Sequence, residues 1–515
     1  MARFVLCFPR EAGIFEVAEA VGLTVRSVSS RRRAMKGRKG FGILLAVSVA
    51  LVSFGCEGDT GPQGPEGPEG PQGPEGPAAG VSEYAYFGDF GSQCAHCHAT
   101  TINDYVTTGH RFAYDDLAAE DQANLYCLQC HTTGFNCTVE FGDTEINPAN
   151  CVEPADGYSG YIGDESDEGV ARRADLEGVQ CESCHGAMGP DFNAHLPEIS
   201  FSTWDNSLCA GCHDTQIDEW ETSGHALAEG GDPEALGDHF GRSSCDYCHT
   251  SEGFIRTYDP TYADYDFGGN YSQIGCPTCH DPHVGEDGGG NEAQLRSEDD
   301  VLLSYTFPAD PAEDDDLTAW TASGYGPGQT CMQCHKARRD NANVANQIAN
   351  GYGHFGPHGS PQTDMFIGNG SYEIPGYTYT GAAAHKAGVT DGCVTCHMAF
   401  SEDAGGHVVH NFNPTPENCA GCHPGLTDFD YNGVQTTIQG KLDQFAQLIG
   451  YIDADDLAAN IDDELTGNET WPEWQREAAY GFIFVYNSGD LGVHNSTYAN
   501  ELLDAAIDYT NDNLP

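Results

Sequence analysis

Nine times the chain spells Cys-x-x-Cys-His, and no other feature restricts its folding as much. The motifs supply Cys94, Cys97 and His98; Cys127, Cys130 and His131; Cys181, Cys184 and His185; Cys209, Cys212 and His213; Cys245, Cys248 and His249; Cys276, Cys279 and His280; Cys331, Cys334 and His335; Cys393, Cys396 and His397; and Cys419, Cys422 and His423. Zinc ribbons and redox dithiols also use Cys-x-x-Cys, but neither requires a His directly after the second Cys. Covalent attachment of a c-type haem requires it: the two thiols add across the vinyl groups, and the adjacent imidazole reaches the iron. The expected cofactor is therefore haem c, nine copies, at what are numbered here sites 1 to 9 in chain order. Beyond Val81 this leaves about 48 residues per motif, and the apolar content of the whole chain is 39%, low for a domain of this length. The porphyrins must then supply much of the core. The expected fold class is mainly α with extensive loop and little sheet, wrapped around a haem stack. Short helices are expected after several motifs, as at Thr101–Thr108 and Thr215–Ser223.

Thioether-linked haem is assembled outside the cytoplasm, and the N-terminus reads as an export signal. Arg31 to Arg33, Lys36, Arg38 and Lys39 form a basic region before the apolar run Phe41–Phe54, which is short for a membrane span. Met35 is a plausible true start. Cys56 follows Gly55 as in a lipoprotein cleavage site, although Ser53 and Phe54 depart from the usual pattern; ordinary cleavage nearby is the alternative. Gly58–Ala78 is seven Gly-x-y triplets, collagen-like and read as an extended spacer. The expected location is the outer membrane, as a lipoprotein, or the cell surface, with the periplasm as alternative. Membrane contact is expected only through the anchor.

The formal net charge is −58, and the segment before residue 57 carries nine basic and three acidic residues, so the remainder is more acidic still. Such a surface repels nucleic acid and attracts cations and basic partners. Glu313–Asp316 could bind calcium, but no full loop pattern is present.

The first six motifs form two copies of a three-haem unit. CAHCHATTINDYVTTGHRFA (Cys94–Ala113) aligns without a gap on CAGCHDTQIDEWETSGHALA (Cys209–Ala228), CLQCHTTGF matches CDYCHTSEGF, and VQCESCHGAMGP matches IGCPTCHDPHVG. The expected organisation is a signal and over-extended N-terminus (1–55), spacer (56–80), first unit (81–200), second unit (201–285), haem-free linker (286–329), three-haem region (330–425) and helical cap (426–515). In the cap, Val434, Ile438, Leu442, Phe445, Leu448 and Ile449 fall at helical spacing, and Trp471–Val485 and Tyr498–Ile507 read as two more helices. Cys137 and Cys151 lie in an extra loop of the first unit and are expected to form a disulfide.

The sixth ligand of each iron decides between conductor and enzyme. Distal candidates are His110, His195, His225, His239, His283, His358, His385, His410 and His494, with His354 and His407 as alternates to their close neighbours. His96 lies inside its own motif and reads as a bystander. His110 and His225 each lie twelve residues after a proximal His. Only six Met are present, so Met/His iron is disfavoured and His/His iron expected. Iron closed on both faces passes electrons and binds no substrate.

The aromatic-x-x-[Ser/Thr]-Gly-His segments after the first motif of each unit resemble the tetrahaem cytochromes c of ammonia oxidisers. FGPHGSPQTDMFIGNGSYE (Phe355–Glu373), CVTCHMAF with GGHVVHNFNP, and GVHNSTYANELLDAAI (Gly492–Ile507) resemble multihaem cytochromes of metal-reducing bacteria. More distantly they resemble the hydroxylamine oxidoreductase and cytochrome c nitrite reductase families. The resemblance implies a distal-ligand role for His494, and for His407 or His410. It implies electron transfer in extracytoplasmic anaerobic respiration, with redox cytochromes or extracellular acceptors such as metal oxides as partners. The alternatives are an oxidoreductase of nitrogen compounds with one open haem, and a subunit of a homo-oligomer or cytochrome filament. Two departures count against the enzyme: every motif ends in His, whereas the nitrite reductases carry Cys-x-x-Cys-Lys, and no Tyr among 24 is marked as the crosslinking residue of the hydroxylamine enzymes. No catalytic residue is assigned.

Overall fold

The structure is a computed structural model, and it describes residues 86–152, 156–187, 206–227, 243–259, 272–285, 293–303, 321–339, 341–351, 356–401, 406–461 and 470–515. The export signal, Cys56, the Gly-x-y spacer and Glu313–Asp316 lie outside them. Short helices and turns dominate. Sheet is confined, among the described residues, to two antiparallel pairs, Val301–Leu302 with Thr321–Ala322 and Phe400–Ser401 with His407–Val408.

Helices follow the motifs because each Cys-x-x-Cys-His already turns: in site 1 the His98 N–H donates to Cys94 O at 2.9 Å, and the helix Ala95–Tyr105 continues from it. Its counterpart in the second unit is Asp214–Trp220. The largest side-chain core is C-terminal, where helices Val434–Leu448, Ala454–Ile461, Glu473–Asn487 and Ser496–Asn513 pack around Phe445, Phe482, Phe484 and Tyr498, all fully buried. The helical spacing of Val434 to Ile449 corresponds to the first of these. Ala454–Ile461 has no counterpart in the sequence reading, being only two turns long. The haem-bearing units have much smaller apolar clusters, for example Tyr247, Phe254 and Ile255.

The stretch 286–329, read from composition as a linker, is packed where it is described. Val301 and Leu303 are buried against Tyr325, Met332 and Phe366. Arg296 donates to Asp281 at 3.0 Å and its N–H to Cys279 O at 2.7 Å, tying the segment to site 6. The apolar run Val301–Leu303 carries this packing, and the acidic, Gly-rich flanks obscured it.

Candidate functional site

The duplicated sequence becomes a duplicated scaffold. In Thr-Gly-His and Ser-Gly-His the hydroxyl residue caps the short turn that carries the histidine: Thr108 accepts from Arg111 N, and Ser223 from Ala226 N, both at 3.4 Å. The preceding aromatic residue anchors that turn to the third motif of its unit. Tyr105 donates to Val179 O, and Trp220 Nε1 to Ile274 O at 3.0 Å, each acceptor lying two residues before the motif's first Cys. The residue two places after the second motif repeats the pattern, Thr133 with Ser183 at 3.0 Å and Ser251 with Thr278 at 2.6 Å. These contacts explain why the two copies retain those residue types.

Seven proximal histidines face a second imidazole at nearly constant ring-centroid separation. The pairs are His185–His283 (6.1 Å, site 3), His213–His110 (6.1 Å, site 4), His249–His358 (6.0 Å, site 5), His280–His410 (6.3 Å, site 6), His335–His225 (6.1 Å, site 7), His397–His494 (6.2 Å, site 8) and His423–His385 (6.1 Å, site 9). Stacked rings in direct contact would be closer. Two metal–nitrogen bonds of about 2.0 Å end to end, plus the two ring radii, give about 6 Å. The constancy of the gap, with a Cys pair beside each proximal ring, fits one haem between each pair of imidazoles. At sites 1 and 2 the candidates His195 and His239, like the alternate His354, lie outside the described residues.

The pairing crosses the repeats. His110 of the first unit faces the first motif of the second, and His225, at the equivalent place, faces the first motif of the third region. His283 reaches back from after site 6 to site 3. Sequence offsets alone could not assign these partners, because the facing rings come from segments far apart in the chain. Within the close pairs, His410 faces a proximal imidazole. His407 does not: its Nε2 lies 3.0 Å from Glu219 Oε1, while Glu219 Oε2 accepts the His410 N–H at 2.8 Å. His96 is exposed.

Several rings are oriented by hydrogen bonds from Nδ1, which leaves Nε2 with the free lone pair a metal takes. His280 donates to Ala293 O at 2.7 Å, His397 to Phe412 O at 2.9 Å, and His410 to Val408 O at 2.7 Å. Two distal rings stand against carboxylates: His283 Nδ1 is 3.4 Å from Asp281, and His494 Nδ1 is 3.1 Å from Asp490, off the straight line of a good hydrogen bond. Burial, reinforced by the facing ring, pushes His110 and His225 down to about 4, so both are neutral at physiological pH. Burial also lowers His213, His280, His335, His397 and His410.

The motifs touch one another through their cysteines. Side chains meet at Cys94–Cys181, Cys130–Cys212, Cys209–Cys276, Cys248–Cys334 and Cys331–Cys393, joining sites 1–3, 2–4, 4–6, 5–7 and 7–8. Cys184 lies near enough to Cys209, Cys279 to Cys331, and Cys396 to Cys419 and Cys422, for their charges to interact, which makes 3–4, 6–7 and 8–9 neighbours without side-chain contact. This order leaves no trace in the sequence. Cys137 and Cys151 are joined by a disulfide. Among the described residues no cluster of three or more His, Cys, Asp or Glu forms a separate metal site, and no helix is long and apolar enough to cross a membrane.

Residues 174–218 match the family model of the doubled CXXCH motif. The polyhaem c-type cytochrome OmcB of Geobacter sulfurreducens is 33% identical over 126 residues, which are 22% of this chain and 16% of that protein. The outer cell wall cytochrome OcwA superposes over 83% of this chain and 100% of its own, with TM-score 0.44 and 17% identity. An undecahaem cytochrome from the S-layer of Carboxydothermus ferrireducens covers 76% of this chain and 56% of its own, with TM-score 0.43 and 18% identity. The doubled CXXCH motif and the likeness to OmcB support a multihaem c-type cytochrome.

Proposed function

We propose that this protein is an exported nonahaem electron carrier in which every iron is closed by two imidazoles. The observation that carries this reading is the succession of motifs in contact or in close neighbourhood, which leaves no site isolated. Haem supplies the one-electron chemistry. The chain would fix each porphyrin through its two cysteines, offer it imidazoles and keep neighbouring sites close together.

The contacts support a spine running 1–3–4–6–7–8–9, with sites 2 and 5 as side members at sites 4 and 7. Translating the first unit onto the second carries 1–3, 2–4 and 3–4 onto 4–6, 5–7 and 6–7. The same translation supports a choice of ligand for site 2. His358, between motifs 7 and 8, serves site 5, so His239, between motifs 4 and 5, serves site 2, leaving His195 for site 1. The acidic surface stabilises ferric over ferrous charge and lowers the potentials, less so as salt rises. The remaining elements of the reading are a lipid anchor at Cys56, an extended Gly-x-y spacer and an acceptor outside the inner membrane.

The test is to mix the fully reduced protein with a soluble ferric chelate and, separately, with nitrite or hydroxylamine. The ferric complex is expected to reoxidise all nine haems, while the nitrogen compounds are not turned over. Sustained consumption of either nitrogen compound would establish the rival oxidoreductase instead.

A further inference from the structure

Beside site 7 lies a carboxylate that neither haem attachment nor ligation uses. Asp364, on the helix Gln362–Ile367, is completely buried. One oxygen accepts the Ala337 N–H at 2.7 Å, two residues beyond His335. The other has no hydrogen-bond partner and points at Gly370, where a Cβ would stand 2.2 Å from it; Gly370, with φ +86°, is the residue that leaves room. The helix is tied to the motif a second time, by Thr363 N–H donating to His335 O at 3.0 Å.

A buried carboxylate with a bare oxygen is costly when ionised and inexpensive when protonated. The charged and titratable neighbours do not settle it as an anion. Lys336 is also buried, but its Nζ donates to Leu302 O at 2.8 Å. On the other side stand Tyr498, whose hydroxyl contacts Ser371 N at 3.3 Å, and Glu373, which that hydroxyl reaches at 3.4 Å. Both are neutral or negative, and neither favours a second anion. Burial accordingly raises Asp364 to about 7, with Ala337 and Lys336 opposing. An electron at site 7 adds one negative charge nearby and moves the balance further toward the acid.

We propose that Asp364 binds one proton from solvent when the haem of Cys331, Cys334 and His335 takes one electron, so that the junction of the spine is a proton-coupled step. The inference rests on the electron-carrier reading. Electron and proton balance one to one: the donor cytochrome, or dithionite in vitro, supplies the electron, water supplies the proton to the bare carboxylate oxygen, and no bond to the porphyrin changes. Site 7 touches sites 5 and 8 and neighbours site 6, so pH would set how readily charge passes this point in either direction.

The experiment is a spectroelectrochemical titration of the holoprotein across neutral pH, with infrared difference spectra, on wild type and Asp364→Asn. In wild type one of the haem waves is expected to move to lower potential as pH rises. Its limit is a tenfold change in reduction constant per pH unit, about 59 mV for one electron. A protonated-carboxyl band should appear on reduction. Asp364→Asn, which keeps an acceptor for Ala337, should lose the band and flatten that wave. Should the Asn variant not fold, Asp364→Glu is expected to displace the pH range of the slope. His225→Met identifies the haem, because a Met ligand raises its potential and should carry the pH-dependent wave upward with it. A flat wild type, a slope retained in Asp364→Asn, or a slope on a wave that His225→Met leaves in place overturns the proposal. A missing haem at Cys331–His335, read by peptide mass, would instead overturn the carrier reading itself.

Discussion

His225→Ala opens the haem of Cys331–His335, not one of its own repeat, to carbon monoxide, and His110→Ala does the same for the haem of Cys209–His213. In each variant one haem in nine is expected to change from unreactive to carbon monoxide-binding. The ring opposite the proximal imidazole is removed, while both thioethers and the proximal histidine remain. The His225 ring also packs edge-on against Phe412 at 4.9 Å, so His225→Ala should lose some stability as well as the ligand. Difference spectra with carbon monoxide measure the number of open irons, and a crystal of each variant with the gas bound shows which iron it is. Unchanged binding in both variants would refute the ligand assignment. Gas on the iron of Cys94–His98 in the His110 variant would refute the crossing between units.

Phe482→Ala acts from a distance. Phe482 is fully buried and stacks on Phe445 at 5.4 Å in the four-helix C-terminal core. Deleting such a ring costs about 3–5 kcal/mol. His494 lies in the short connection between helices Glu473–Asn487 and Ser496–Asn513, so its place opposite His397 depends on that packing. In a denaturant titration the variant should lose stability by that amount. Site 8 should also bind carbon monoxide at a denaturant concentration where the other haems are still closed. Loss of all sites in one step would show that the helical region does not hold His494 independently.

What the sequence revealed and what it hid follow from the range of each interaction. The Cys-x-x-Cys-His motifs, the duplicated units and the Val434–Ile449 stripe are local patterns, readable in one pass. His110 and His225 stood out because each follows a motif at fixed spacing, yet their targets, His213 and His335, lie about a hundred residues downstream. The choice of His410 over His407 turns on Glu219, almost two hundred residues earlier. Buried Val301 and Leu303 were masked by acidic surroundings. The contacts between cysteines of different motifs leave no periodic trace, so the order of sites became visible only in three dimensions.

Electron paramagnetic resonance of the fully ferric protein, alone and with nitrite or hydroxylamine, tests the central claim most directly. Nine irons closed by imidazole on both faces give low-spin signals that integrate to nine haems and do not respond to either compound. A high-spin ferric signal that shifts when one of them is added would place an open iron in the chain and contradict the account.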